Sequence, residues 1–83
     1  LLNRLYPKEE LEAQTMAFAR RLAQGPPIAY RMDKALVYKG LEFDLETSLT
    51  QSMTAVAVAL NTQDHQEALM AFVQKRSPVF HDR

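Results

Sequence analysis

Cysteine and tryptophan are absent from this 83-residue chain, glycine occurs only twice, and the formal net charge is zero. Without cysteine there is no disulfide framework and no thiol chemistry, which fits a reducing compartment and makes a cytoplasmic protein the expectation. Ten basic residues balance ten acidic ones. The chain therefore carries no electrostatic footprint for nucleic acid or for an anionic membrane surface. No apolar run approaches the roughly 20 residues that a membrane-spanning helix requires. The opening Leu1-Leu2-Asn3-Arg4-Leu5-Tyr6 has neither the layout of a signal peptide nor an initiator Met. We therefore expect a piece that begins inside a longer protein.

What is present is enough apolar residue, 47% of the chain, to exclude disorder. Its spacing is helical almost throughout. Leu1–Tyr6 reads as the tail of a strand or an extended lead-in, ended by Pro7. Leu11, Thr15, Phe18 and Leu22 then recur at helical spacing, with Glu9 and Glu10 at the start and Arg20 and Arg21 at the end, where each charge complements the helix dipole. Gly25 is placed to supply a left-handed exit. Pro26-Pro27 turns the chain and suits the start of a second helix, whose face is Ile28, Met32, Ala35, Leu36 and Lys39 and which Gly40 closes. Asp44 is an N-cap for a third helix striped by Leu45, Leu49, Met53, Val56 and Leu60. With Thr54-Ala55-Val56-Ala57-Val58-Ala59 in its middle, that helix is apolar on nearly every side. Such a helix is expected to be buried on several sides, here against another chain. Asp64, with Glu67 three residues on, reads as a capping pair for a fourth helix that ends before Pro78. The expected fold is all-α: about four helices at 8–24, 27–39, 45–60 and 64–76, forming one domain over residues 1–83.

Chemistry-bearing side chains are few. Lys75 and Arg76 at a helix C-terminus either complement the dipole or grip a phosphate. Arg76 is expected to pair with an acidic residue or a carbonyl. Asp64 and Glu67 have the spacing of a cap rather than of an acid–base pair. His65 and His81, both expected to be exposed, have no partner at metal-ligand spacing. Ser48, Ser52 and Ser77 lack the strained elbow of a nucleophile. Met16, Met32, Met53 and Met70 read as adaptable core filler. Tyr30, Tyr38, Phe72 and Phe80 are candidates for a small aromatic cluster, with Phe72 in the core. No catalytic residue and no metal site is expected in the chain.

The final segment, with Asp64, Glu67, Ala71, Phe72, Lys75, Arg76, Pro78 and Phe80 in order, resembles the C-terminal signature of the enoyl-CoA hydratase/isomerase (crotonase) superfamily. Upstream, Leu2–Pro7, Glu9-Glu10-Leu11, Ala23, Pro26, Pro27, Ala29 and Lys34 extend the likeness over essentially the whole chain. Ala68, Ser52 and Asp82 depart from it, standing where glycine, glutamate and glycine are frequent. The resemblance implies a C-terminal helical domain that mediates self-association, as a trimer or dimer of trimers, and covers part of an acyl-CoA site. It implies a parent enzyme of fatty acid metabolism that hydrates 2-enoyl-CoA or isomerises its double bond, with catalytic groups upstream and no tightly bound cofactor. A lysine at the position of Lys75 approaches the 3′-phosphate region of coenzyme A in that family, from a neighbouring subunit. An aromatic near the acyl or pantetheine region would fall at Val56, which has no ring. The competing expectation is a stand-alone helical interaction module without activity.

Overall fold

A computed structural model describes residues 1–83 and contains four α-helices and no strand. These are α1 (Lys8–Ala23), α2 (Pro27–Lys39), α3 (Leu45–Leu60) and α4 (Gln63–Val73). The all-α expectation holds, and α2 and α3 begin and end where their sequence signals stand.

The differences lie at three ends. Helix α1 stops at Ala23 rather than 24, with Pro7 as its N-cap, its carbonyl accepting from the amides of Glu10 and Leu11 at 3.0 and 3.1 Å. Gly25 is not a left-handed exit, since neither glycine has a positive φ. Its lack of a side chain serves a close approach instead: the Tyr30 ring occupies the space where a Cβ would stand. Helix α4 runs over Gln63–Val73 instead of 64–76. Its N-cap is Thr62, whose hydroxyl accepts from the His65 amide at 3.0 Å and donates to the Ala59 carbonyl at 2.7 Å. Asp64 is therefore inside the first turn. Asp44 does cap α3, accepting from the Thr47 amide at 2.8 Å.

On α3, packing inverts the ordinary arrangement of large residues inside and small ones outside. Helix α2 packs on α3 and α3 on α4, while α1 packs on none of them to a comparable extent. On α2 the half-buried face is Ile28, Ala29, Met32 and Leu36; on α3 it is Ser48, Ser52, Ala55 and Ala59. The small α3 face lets the helices approach closely, and Ser52 satisfies its hydroxyl on the Ser48 carbonyl at 2.8 Å. The apolar stripe of α3 (Leu45, Leu49, Met53, Val56, Leu60) is exposed along its whole length, Met53 to 74%. Leu11, Phe18 and Leu22 of α1 and Leu69, Phe72 and Val73 of α4 are exposed as well. Phe72, expected in the core, is 83% exposed, and the only buried apolar residue is Ala71. Nor do Tyr30, Tyr38 and Phe72 form an aromatic cluster; each lies on the surface.

The radius of gyration is 16.1 Å, whereas a compact domain of this length would have one of roughly 12 Å. The molecule measures 45 × 38 × 18 Å. Its thickness is less than two helix diameters of about 10–12 Å. A slab so thin cannot surround a core. The N-terminal lead-in lies on α1, where the guanidinium groups of Arg4 and Arg21 sit 5.5 and 5.4 Å from the Phe18 ring centroid.

Candidate functional site

The residues singled out for chemistry converge at α4 and the tail that follows it. After Val73, Gln74 keeps right-handed geometry and Lys75 turns left-handed with φ 52°. The Arg76 amide then donates to the Ala71 carbonyl at 3.0 Å and the Lys75 amide to the Phe72 carbonyl at 3.2 Å. These two bonds are the Schellman closure of a helix C-terminus, in which glycine is the usual left-handed residue. A residue with a Cβ pays about 1–2 kcal/mol for that conformation. The chain ends α4 with a lysine all the same.

The tail turns back along α4 and is held there by two carboxylates. Both Glu67 oxygens accept from the Arg76 guanidinium, at 2.5 and 2.8 Å, and one also accepts from the Val79 amide at 3.0 Å. The Arg76 hydrogen bonds first, and the Val79 amide second, hold the Glu67 carboxyl down at about 2. Arg76 further donates to the Gln74 side-chain oxygen at 2.7 Å and to the Ser77 carbonyl at 3.2 Å. One turn earlier, Asp64 is 4% exposed. Its oxygens accept from the amides of His81 and Asp82 at 2.7 and 3.0 Å, while its own amide donates to the Arg83 carbonyl at 2.7 Å. Asp82, also left-handed at φ 60°, takes a two-pronged contact from Arg31 of α2 at 2.6 and 3.1 Å. That guanidinium lowers the Asp82 carboxyl below its ordinary value.

This arrangement corrects the capping-pair reading of Asp64 and Glu67: neither caps α4, and both anchor the tail. It agrees with the expectation that Arg76 pairs with an acidic residue or a carbonyl. Phe80 is folded back to line a cavity of about 120 Å³ with Pro26, Ile28, Ala29, Ala59 and Ala68. His65, expected on the surface, is half-buried and lines the same cavity, while His81 is exposed. No three His, Cys, Asp or Glu side chains converge as a metal site would require.

Lys75 differs from its neighbours. Gln74, Arg76 and Ser77 are tied together through one guanidinium. The Lys75 side chain is exposed and takes part in none of the chain's ion pairs or side-chain hydrogen bonds. The ordered pattern from Asp64 to Phe80 is thus a physical unit, in which two acidic residues and an arginine hold the tail and leave the Lys75 cation exposed and unpaired. All 83 residues match the family model described as enoyl-CoA hydratase/isomerase.

The chain belongs to the enoyl-CoA hydratase/isomerase family. It is 36% identical over 80 residues to the mouse (Mus musculus) mitochondrial enoyl-CoA hydratase domain-containing protein 3, covering 96% of this chain and 27% of that protein. It is 29% identical over 80 residues to a crotonyl-CoA hydratase of Syntrophomonas wolfei, covering 96% of this chain and 31% of that one. The crystal structure of an enoyl-CoA hydratase from Bacillus anthracis superposes with a TM-score of 0.87 at 32% identity, over 94% of this chain and 30% of that one. The chain spans less than a third of the length of these family members.

Proposed function

We propose that the chain is the C-terminal helical domain of an enzyme of this family acting on acyl-CoA thioesters, by 2-enoyl-CoA hydration or double-bond isomerisation. Its role is to join copies of that enzyme, as a trimer or dimer of trimers, and to cover part of the acyl-CoA site. One observation carries this reading: α3 packs on its neighbours through alanine and serine and leaves its leucine, methionine and valine stripe outside, as α1 and α4 leave Leu11, Phe18, Leu22, Leu69, Phe72 and Val73. Apolar surface on that scale is characteristic of a face that meets another protein body. Lys75 contributes a cation for the 3′-phosphate of coenzyme A, a task suited to a compact ammonium on a flexible stem. The oxyanion hole and the acidic residues that move protons belong to the remainder of the enzyme. The chain by itself supplies neither, needs no tightly bound cofactor, and works in the cytoplasm.

Hydration of crotonyl-CoA tests the catalytic part. The isolated chain is expected to show no turnover above buffer, whereas the full-length protein turns over; activity in the chain alone would place the chemistry here. Sedimentation tests the assembly part. A concentration-independent monomer that binds no hydrophobic dye would remove it.

A further inference from the structure

We propose that Glu67 is a positioning residue: through Arg76 it fixes the left-handed turn at Lys75 and thereby sets where the free ammonium meets the 3′-phosphate of coenzyme A. This rests on the reading of Lys75 given above and adds the device that aims it. Three observations lead to it. Lys75 adopts a backbone conformation that a lysine does not favour, with φ 52°. Such a conformation persists only where the surroundings over-determine it, and it clusters at ligand sites. The surroundings here are explicit. Glu67 receives both prongs of Arg76, and Arg76 ties Gln74 before the turn to Ser77 after it. Glu67 also accepts from the Val79 amide, so the chain on the far side of the turn is fixed to the same carboxylate. The hydrogen bonds that close the turn end on Ala71 and Phe72, and Ala71 is the most buried residue of the molecule. The Lys75 ammonium takes part in none of these contacts.

A cation whose backbone is fixed loses less freedom on meeting an anion than one on a mobile tail. Loosening the turn should therefore weaken recognition of that anion alone. Coenzyme A and dephospho-coenzyme A, which lacks only the 3′-phosphate, separate this effect from general damage. The measurement is calorimetric affinity of the full-length enzyme for each ligand. With Lys75 present, coenzyme A is expected to bind about tenfold tighter than dephospho-coenzyme A, the size of one charge-assisted contact. Lys75→Ala abolishes the preference. Glu67→Gln and Arg76→Lys each reduce it by about two- to fivefold and leave the dephospho-coenzyme A affinity unchanged. If Lys75→Ala preserves the preference, the reading of Lys75 itself fails. If Lys75→Ala abolishes it while both other variants retain it, only the positioning role fails. Equal weakening of both ligands by Glu67→Gln also overturns it, because that is the signature of a purely structural contact. Should Glu67→Gln not fold, Arg76→Lys decides by the same outcomes.

Discussion

Two residues mark the local extremes, Lys75 strained and Asp64 fully satisfied. Lys75 occupies a position where glycine would be unstrained, so Lys75→Gly should stabilise the fold by on the order of 0.5–1 kcal/mol. That figure is the relief of the left-handed penalty less the entropy glycine adds to the unfolded chain. A urea midpoint that falls instead would show that the lysine side chain holds the turn. Asp64 is the opposite case, a buried carboxylate with both oxygens committed to backbone amides. Asp64→Asn presents an NH₂ group to one of those amides and should cost about 1–3 kcal/mol, the range for a buried group left unsatisfied. Carboxypeptidase should then release the last residues faster; unchanged release would mean that Asp64 does not retain the tail.

Among the elements, boundaries were readable from sequence wherever their cause is local. Pro27 at a first turn, Asp44 as a cap and Gly40 as a stop act within a few residues, and α2 and α3 follow them. The end of α4 was not readable in that way. Nothing near Lys75 announces a left-handed lysine, because the turn is fixed by Glu67 reaching Arg76 nine residues away and Val79 twelve residues away. At the start of α4, Thr62 and Asp64 are both competent caps. Asp64 is taken out of contention by His81 and Asp82, which bind it from the other end of the segment. Lys75 was legible as a candidate because cation and helix end are adjacent in sequence; its supporting contacts were not.

The same tail attachment has a pH dependence whose sign follows from its carboxylates. Glu67 is lowered from 4.5 to about 2, chiefly by Arg76, and Asp82 is lowered from 3.8 by Arg31. A group lowered on folding stabilises the native state above its unfolded value, and that stabilisation disappears as pH falls through the folded one. The Glu67 share should be fully present above pH 4.5 and lost as pH approaches about 2. Melting followed from neutral pH into this window should decline in the natural chain and decline less in Glu67→Gln. Parallel profiles would show that the pair contributes nothing in solution, as exposed ion pairs sometimes do.

For the whole molecule the decisive property is the placement of large and small side chains. Sequence periodicity located the α3 stripe, and its apolar excess led to the expectation of a partner in another chain, although a stripe by itself looks the same for a partner in the same chain. Ser48, Ser52, Ala55 and Ala59 lie on an adjacent face of the helix, about a quarter-turn round; α2 takes that face and the stripe stays exposed. Met53 lies in the middle of the stripe and is 74% exposed. A charge there meets no neighbour within the chain and would be costly only in an apolar contact between molecules. Met53→Lys should therefore leave helical circular dichroism unchanged and shift sedimentation toward smaller species. Loss of helix with no change in sedimentation would mean that the stripe supports the chain's own fold.

Helix α1 owes its bearing to a covalent joint more than to side-chain packing. Pro26 and Pro27 restrict the backbone between α1 and α2, and α1 is 16 residues long, an arm of roughly 24 Å. A 20° change of torsion at the prolines would carry the arm's far end through about 8 Å. Two pyrrolidine rings thus govern the aim of the entire first helix, as a bracket governs a shelf, and the chain invests rigidity where leverage is greatest.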